Sequence, residues 1–143
     1  MATVRSVRVS GLWIYPVKSC AGIALEAMEL EPRGPLLDRE WMVVDAGGRF
    51  VTQRTHPEMA RIRPVLKPDR LVLNAPGREP LEVPLEPVTG EALEVEVWRD
   101  RCRALSAGAA AAAWLRELLG ETVRLVRMPP DEVRPVDPRH GRP

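Results

Sequence analysis

The chain has 143 residues, 29% of them charged, with a formal net charge of +1. That length makes one domain with a core able to fold without disulfides or metals, and the balanced charge leaves no basic footprint for nucleic acid. The longest apolar run, residues 109–115, is far below the roughly 20 residues a helix needs to cross a bilayer, and no charged-then-apolar leader precedes it, so a cytoplasmic protein without membrane contact is expected.

Residues 5–16 alternate, with Val7 and Val9 on one face and Arg8 and Ser10 on the other, and predict a first strand that Pro16 ends. Residues 25–31 alternate again before Pro32-Arg33-Gly34-Pro35 forces a turn. Residues 41–45 and 49–52, joined through Gly47-Gly48, give the clearest hairpin, because the glycines supply the positive φ of a tight connection. Pro57 disfavours helix at His56 and predicts a short turn. Short strands follow over residues 61–66, 70–74 and 81–84. In residues 93–97 the apolar Leu93, Val95 and Val97 alternate with Glu94 and Glu96, as in a strand with one wet face.

Only residues 107–119 read as a helix: Ser106 is a suitable N-cap, Ala111, Trp114, Leu115, Leu118 and Leu119 share one face, and Gly120 ends it. Residues 122–128 predict a last strand with Val123 and Leu125 inward and Arg124 and Arg127 outward. Fifteen prolines and ten glycines against one Phe and one Tyr suit many short elements with rigid connections. The fold expected is therefore mainly β: a small β-barrel carrying one helix in its C-terminal half. The domain is placed at residues 1–128, and residues 129–143, rich in proline, are read as a linker.

The chemistry concentrates after the first strand. Lys18 and Ser19 follow Pro16 at the mouth of a sheet, and about twenty residues on, Leu37-Asp38-Arg39-Glu40-Trp41 offers a planar guanidinium from a second loop. A point charge, a hydroxyl and a fork together make a seat for a phosphate-bearing ligand. Arg54, after the hairpin, can join Arg39 around the same anion. Cys20, beside Lys18, is either a lowered-pKa nucleophile or a buried bystander; a catalytic thiol also needs an oriented base, and the histidines are His56, in a turn, and His140, in the tail. Cys102 stands among Arg99, Arg101 and Arg103, and strand alternation favours a packed thiol there. With no Cys-x-x-Cys or Cys/His cluster, neither a disulfide framework nor a zinc site is expected.

The succession Tyr15-Pro16-Val17-Lys18-Ser19-Cys20-x-Gly22, Leu37-Asp38-Arg39-x-Trp41-Met42-Val43-Val44-Asp45, Gly48-x-Phe50-Val51-Thr52-Gln53-Arg54, Pro57-x-Met59-Ala60 and Trp98-x-Asp100-x-Cys102 resembles the N-terminal β-barrel domain of MOSC proteins, which include the amidoxime-reducing molybdenum enzymes. The resemblance implies that this barrel packs against a C-terminal MOSC domain with the molybdenum cofactor (molybdopterin) in the cleft between them. It also implies that Lys18, Ser19 and Arg39, with Arg54 as a neighbour, contact the cofactor and its phosphate. The family's metal-ligating cysteine lies in the MOSC domain, so neither Cys20 nor Cys102 is expected to hold metal and this chain is expected to supply half a pocket. The leading expectation is the N-terminal domain of a molybdenum oxidoreductase that reduces N-hydroxylated compounds with electrons from an iron-sulfur or flavin partner. The alternatives are a stand-alone, non-catalytic barrel binding an anionic ligand or partner chain, and cysteine-dependent sulfur transfer at Cys20.

Overall fold

The computed structural model describes residue 3, residues 5–133 and residues 138–139. Two small antiparallel ribbons come first, β1 (Leu12–Ile14) on β2 (Ile23–Leu25) and β3 (Leu30–Glu31) on β4 (Gly34–Pro35). After β5 (Trp41–Asp45) and a short 3-10 helix, Pro57–Arg61, a three-stranded meander forms from β6 (Arg63–Leu66), β7 (Arg70–Asn74) and β8 (Leu81–Pro84). The chain ends in β9 (Ala92–Val97), β10 (Asp100–Ser106), the helix α1 (Ala109–Leu119) and β11 (Val123–Arg127). The expected small β-barrel with one helix is what the chain forms.

The barrel is built from β5, β11, β10 and β9, antiparallel neighbours in that order. Residues 48–51 close it. Asp45 N–H donates to the Arg49 carbonyl at 2.8 Å and Val51 N–H to Val43 at 2.8 Å on one side, while Phe50 N–H reaches Glu96 at 3.1 Å and Glu96 N–H reaches Gly48 at 2.8 Å on the other. The second arm of the predicted hairpin thus joins β5 to β9. Gly48 has φ +82°, and a Cβ there would lie 2.8 Å from the Glu94 carbonyl oxygen, so the closure depends on a residue without a side chain.

Period-two alternation sends the two faces of this sheet into different cores. Val44, Val95, Val97, Cys102, Ala104 and Val126 form one cluster on the barrel's inner face, and Arg101 and Arg103 point the other way into solvent. Trp41, Val43, Val123 and Leu125 face the larger cluster, where they meet Leu71, Leu73 and Val83 of the meander and Ala111 and Leu115 of α1.

Three local readings need correction. The first strand pairs only over Leu12–Ile14, because β2 offers a ladder only three residues long; Val7 and Val9 stay 96% and 74% exposed. The helix starts later than Ser106 implied, since Ser106 is consumed as the last residue of β10. Gly108 (φ +98°) is the N-cap, and its N–H bonds Ser106 Oγ at 3.2 Å. Arg127 does not point outward: it shares the parity of Val123 and Leu125, lies over the Trp41 ring at 4.6 Å and pairs with Glu40 at 3.0 Å. Of the expected linker, Asp131 bonds Arg103 at 2.9 Å and Arg33 donates to the Pro129 carbonyl at 3.2 Å. Residues 134–137 and 140–143, with His140, lie outside the described residues.

Candidate functional site

Two loops that are distant in sequence are joined by three backbone bonds and one to the Asp38 carboxylate. Tyr15 N–H donates to Asp38 Oδ1 at 2.7 Å and Arg39 N–H to the Tyr15 carbonyl at 2.7 Å. Trp41 N–H then donates to Pro16 at 3.0 Å, and Lys18 N–H to Trp41 at 3.0 Å. Val17 and Trp41, both fully buried, anchor this seam in the larger core. Each bond contributes about 1 kcal/mol net, so together they fix the loops as one unit. The result is that Lys18 and Arg39 line the same cavity.

That cavity, of about 310 Å³, is the unfilled inner face of the barrel. Its floor is apolar: Met42, Val97, Cys102, Ala104, Val126 and Met128. Its rim carries Lys18, Arg39, Glu40 and Trp98. The carboxylates nearby are already engaged in the framework, Glu40 by Arg127 at 3.0 Å and Asp38 by the Tyr15 N–H at 2.7 Å and by Arg39 at 2.5 Å. Asp38 therefore orients the Arg39 guanidinium; the Arg39 side chain stays 59% exposed, and its Cζ lies over the Tyr15 ring at 5.1 Å. A guanidinium braced by one carboxylate and one aromatic face is set to accept a second anion.

Lys18 Nζ sits over Phe50 at 4.1 Å and over Trp98 at 4.9 Å, and Arg54 Cζ lies 5.8 Å from the Trp98 ring centre. The sequence-predicted residues thus gather around one rim, to different degrees. Lys18 and Arg39 line the cavity; Arg54 reaches it through Trp98. Ser19 sits in the turn closed by the Cys20 N–H to Val17 carbonyl bond at 3.1 Å, with φ +70°, and is not among the cavity-lining residues.

Backbone conformation marks the same region. Among the described residues four non-glycine residues take left-handed φ: Ser19, Leu37, Arg39 and Trp98. Each costs on the order of 1 kcal/mol or more, and such residues cluster where a site is pre-organised. Trp98 entered the sequence reading only within the Trp98-x-Asp100-x-Cys102 motif, with no site role. The tight β9–β10 connection lacks the Gly or Asn that signals such a turn, and the contact with Phe50 depends on the non-local closure of the barrel.

Cys20 has the surroundings of the buried bystander rather than of a nucleophile. It is 6% exposed in the larger core, and burial pushes its thiol up to about 12, so the thiolate is suppressed at neutral pH. Cys102 is buried in the cavity floor. His56 pairs through Nε2 with Glu121 at 2.5 Å and through Nδ1 with Thr55 Oγ1 at 2.9 Å, a staple between the 52–56 loop and the end of α1. Among the described residues no group of three or more His, Cys, Asp and Glu side chains is placed to hold a metal ion.

Closed five-segment barrel, apolar interior and cationic rim define a small β-barrel domain. Residues 6–122 match the family described as the MOSC N-terminal beta barrel domain, and the chain belongs to it. It is 36% identical over 135 residues to the molybdenum cofactor sulfurase of Danio rerio, covering 90% of this chain and 16% of that protein. To the mitochondrial amidoxime reducing component 2 of Bos taurus it is 34% identical over 125 residues, covering 83% of this chain and 37% of that protein. A solution structure of a Bordetella bronchiseptica protein shares the fold, with a TM-score of 0.58 and 24% identity over 71% of this chain and 86% of that one. The chain thus spans well under half the length of the two curated relatives.

Proposed function

We propose that this domain supplies half of a seat for the molybdenum cofactor, holding the cofactor's phosphate between Lys18 and Arg39, with Ser19 and Arg54 at the margin. The observation that carries it is the backbone seam of residues 15–18 with residues 38–41, which brings both cations onto one cavity rim. The donor set fits such a group. Lys18 contributes a point charge, Arg39 a fork already held by Asp38, and Trp98 and Phe50 an aromatic flank.

When bound, the cofactor supplies the redox or sulfur chemistry, and the chain's own residues supply binding and orientation. Arg39 fixes direction, because a planar guanidinium pairs with phosphate oxygens along two parallel bonds. The apolar floor keeps water from competing beneath the rim, which strengthens each charged contact. Cys20 and Cys102 are buried and hold no metal in this reading, so a thiolate ligand comes from a second, MOSC domain packed on the rim. The fifteen residues after 128 serve as the linker toward it.

For the whole protein two activities are in play. Reduction of N-hydroxylated compounds, with an iron-sulfur or flavin donor, is supported by the likeness to the amidoxime reducing component. Sulfur transfer to the cofactor is supported by the likeness to the sulfurase, and the burial of Cys20 argues for a sulfur carrier elsewhere. Both need the same task from this domain, which is to hold the cofactor. The test is an anaerobic titration of the 143-residue chain with molybdopterin released from a molybdoenzyme. We expect saturable binding that weakens with salt and falls about tenfold or more in Arg39→Ala. Equal binding by wild type and a Lys18→Ala/Arg39→Ala variant overturns the proposal.

A further inference from the structure

The rim carries an aromatic feature that phosphate binding does not need. Trp98 is 54% exposed at φ +56°, in a tight hairpin connection where glycine or asparagine would be relaxed. A large aromatic side chain in that conformation costs stability, and an exposed indole recovers little of it by burial. The ring is nonetheless held. Phe50 packs against it with centroids 5.0 Å apart and planes tilted by 50°, Lys18 Nζ lies 4.9 Å from its centre, and Arg54 Cζ lies 5.8 Å from it. The indole also borders the cavity that Lys18 and Arg39 line. A strained, half-exposed ring, packed against Phe50 and approached by the cations Lys18 and Arg54, has the character of a stacking platform.

We infer that Trp98 is a ligand-binding residue: the exposed part of its indole takes a planar heteroaromatic ring carried by the same molecule whose phosphate sits at Lys18 and Arg39. This rests on the phosphate seat proposed above and adds a second recognition element to it. The seat alone would accept any phosphate ester; the platform selects esters that bear a flat π-system. Phe50 is a positioning residue in this arrangement, because it fixes the tilt of the indole.

The test compares two phosphate monoesters on the 143-residue chain, guanosine monophosphate, which carries a planar purine, and ribose 5-phosphate, which does not. We expect the nucleotide to bind about tenfold more tightly and to quench tryptophan emission, while the sugar phosphate does neither. Trp98→Asn, which relaxes the left-handed turn, should erase that advantage without lowering the melting temperature, whereas a merely structural Trp98 would be missed in stability and not in selectivity. Trp98→Phe keeps a ring and should keep most of the nucleotide's advantage while losing the quench. Equal affinity for the two esters, or an advantage that survives in Trp98→Asn, overturns the platform and leaves the seat standing. Unchanged binding of ribose 5-phosphate in Lys18→Ala/Arg39→Ala overturns the seat, and failure of both esters to bind the wild-type chain overturns both.

Discussion

The two faces of the barrel sheet are made from the same strands and finished in opposite ways. On one, Trp41, Val43, Val123 and Leu125 belong to one buried cluster with residues of α1 and the β6–β8 meander, and Trp41, Val43 and Leu115 are fully buried. On the other, Val95, Val97, Cys102 and Ala104 line an inner face that still holds a cavity of about 310 Å³ under a rim of cations. A face that served stability alone would be filled, since each void forfeits dispersion contacts. The difference teaches a division of labour: the outer face of the sheet holds the fold, and the inner face keeps a cavity under the cationic rim, where the proposed seat lies.

The largest expected effect lies on the packed face. Leu115→Ala should lower unfolding free energy by about 3 kcal/mol in urea titration, as removal of a fully buried leucine does. A loss under about 1 kcal/mol would show that this core collapses readily. Next comes the closure between the faces: Gly48→Ala puts a Cβ 2.8 Å from the Glu94 carbonyl at φ +82° and should cost about 2 kcal/mol. It should also loosen Phe50 under Trp98, read as a red shift of tryptophan emission.

A matched pair sharpens the contrast. Ala111 and Ala104 are 2% and 3% exposed, the first on the packed face and the second in the cavity. Ala111→Leu should cost about 2 kcal/mol through overpacking, while Ala104→Leu should stay within about 0.5 kcal/mol because the cavity receives it. Equal costs would erase the distinction. The smallest effect on folding is pH-linked. With its thiol raised to about 12 in the fold from an ordinary value of 9.0, Cys20 favours the folded state below the unfolded value. That contribution is lost as pH climbs from there through the folded value. At pH 8 native Cys20 should resist iodoacetamide and react only on unfolding; rapid alkylation of the native chain would restore thiol chemistry at this position.

Local signals made much of this readable beforehand. The β3–β4 turn at Pro32-Arg33, the hairpin after β5, the apolar face of α1 and its Gly120 cap are each set by residues within a few positions of one another. Lys18 and Arg39 were readable for a different reason: a cation after a strand-breaking proline and an arginine in a second loop are by themselves a weak signal, and the family motifs that contain them are what set them apart. What joins them, the seam of residues 15–18 with 38–41, is mostly main-chain pairing over more than twenty residues, with Asp38 Oδ1 its one side-chain acceptor, and backbone pairing leaves no mark in side-chain type. Trp98 was hidden by the same physics, since its role depends on residues 48–51 closing the barrel beside β9. Arg127 misled because a charged residue at the end of a strand reads as solvent-facing, whereas Glu40 and the Trp41 ring draw it in.

The central claim is that Lys18 and Arg39 act together on one anion, and amide chemical shifts of the 143-residue chain during titration with a phosphate monoester test it most directly. We expect the largest, saturable changes at Lys18, Ser19 and Arg39 with one common affinity, and their loss throughout that group in Arg39→Ala. Separate affinities at the two loops, or changes confined to some other face of the barrel, would contradict it.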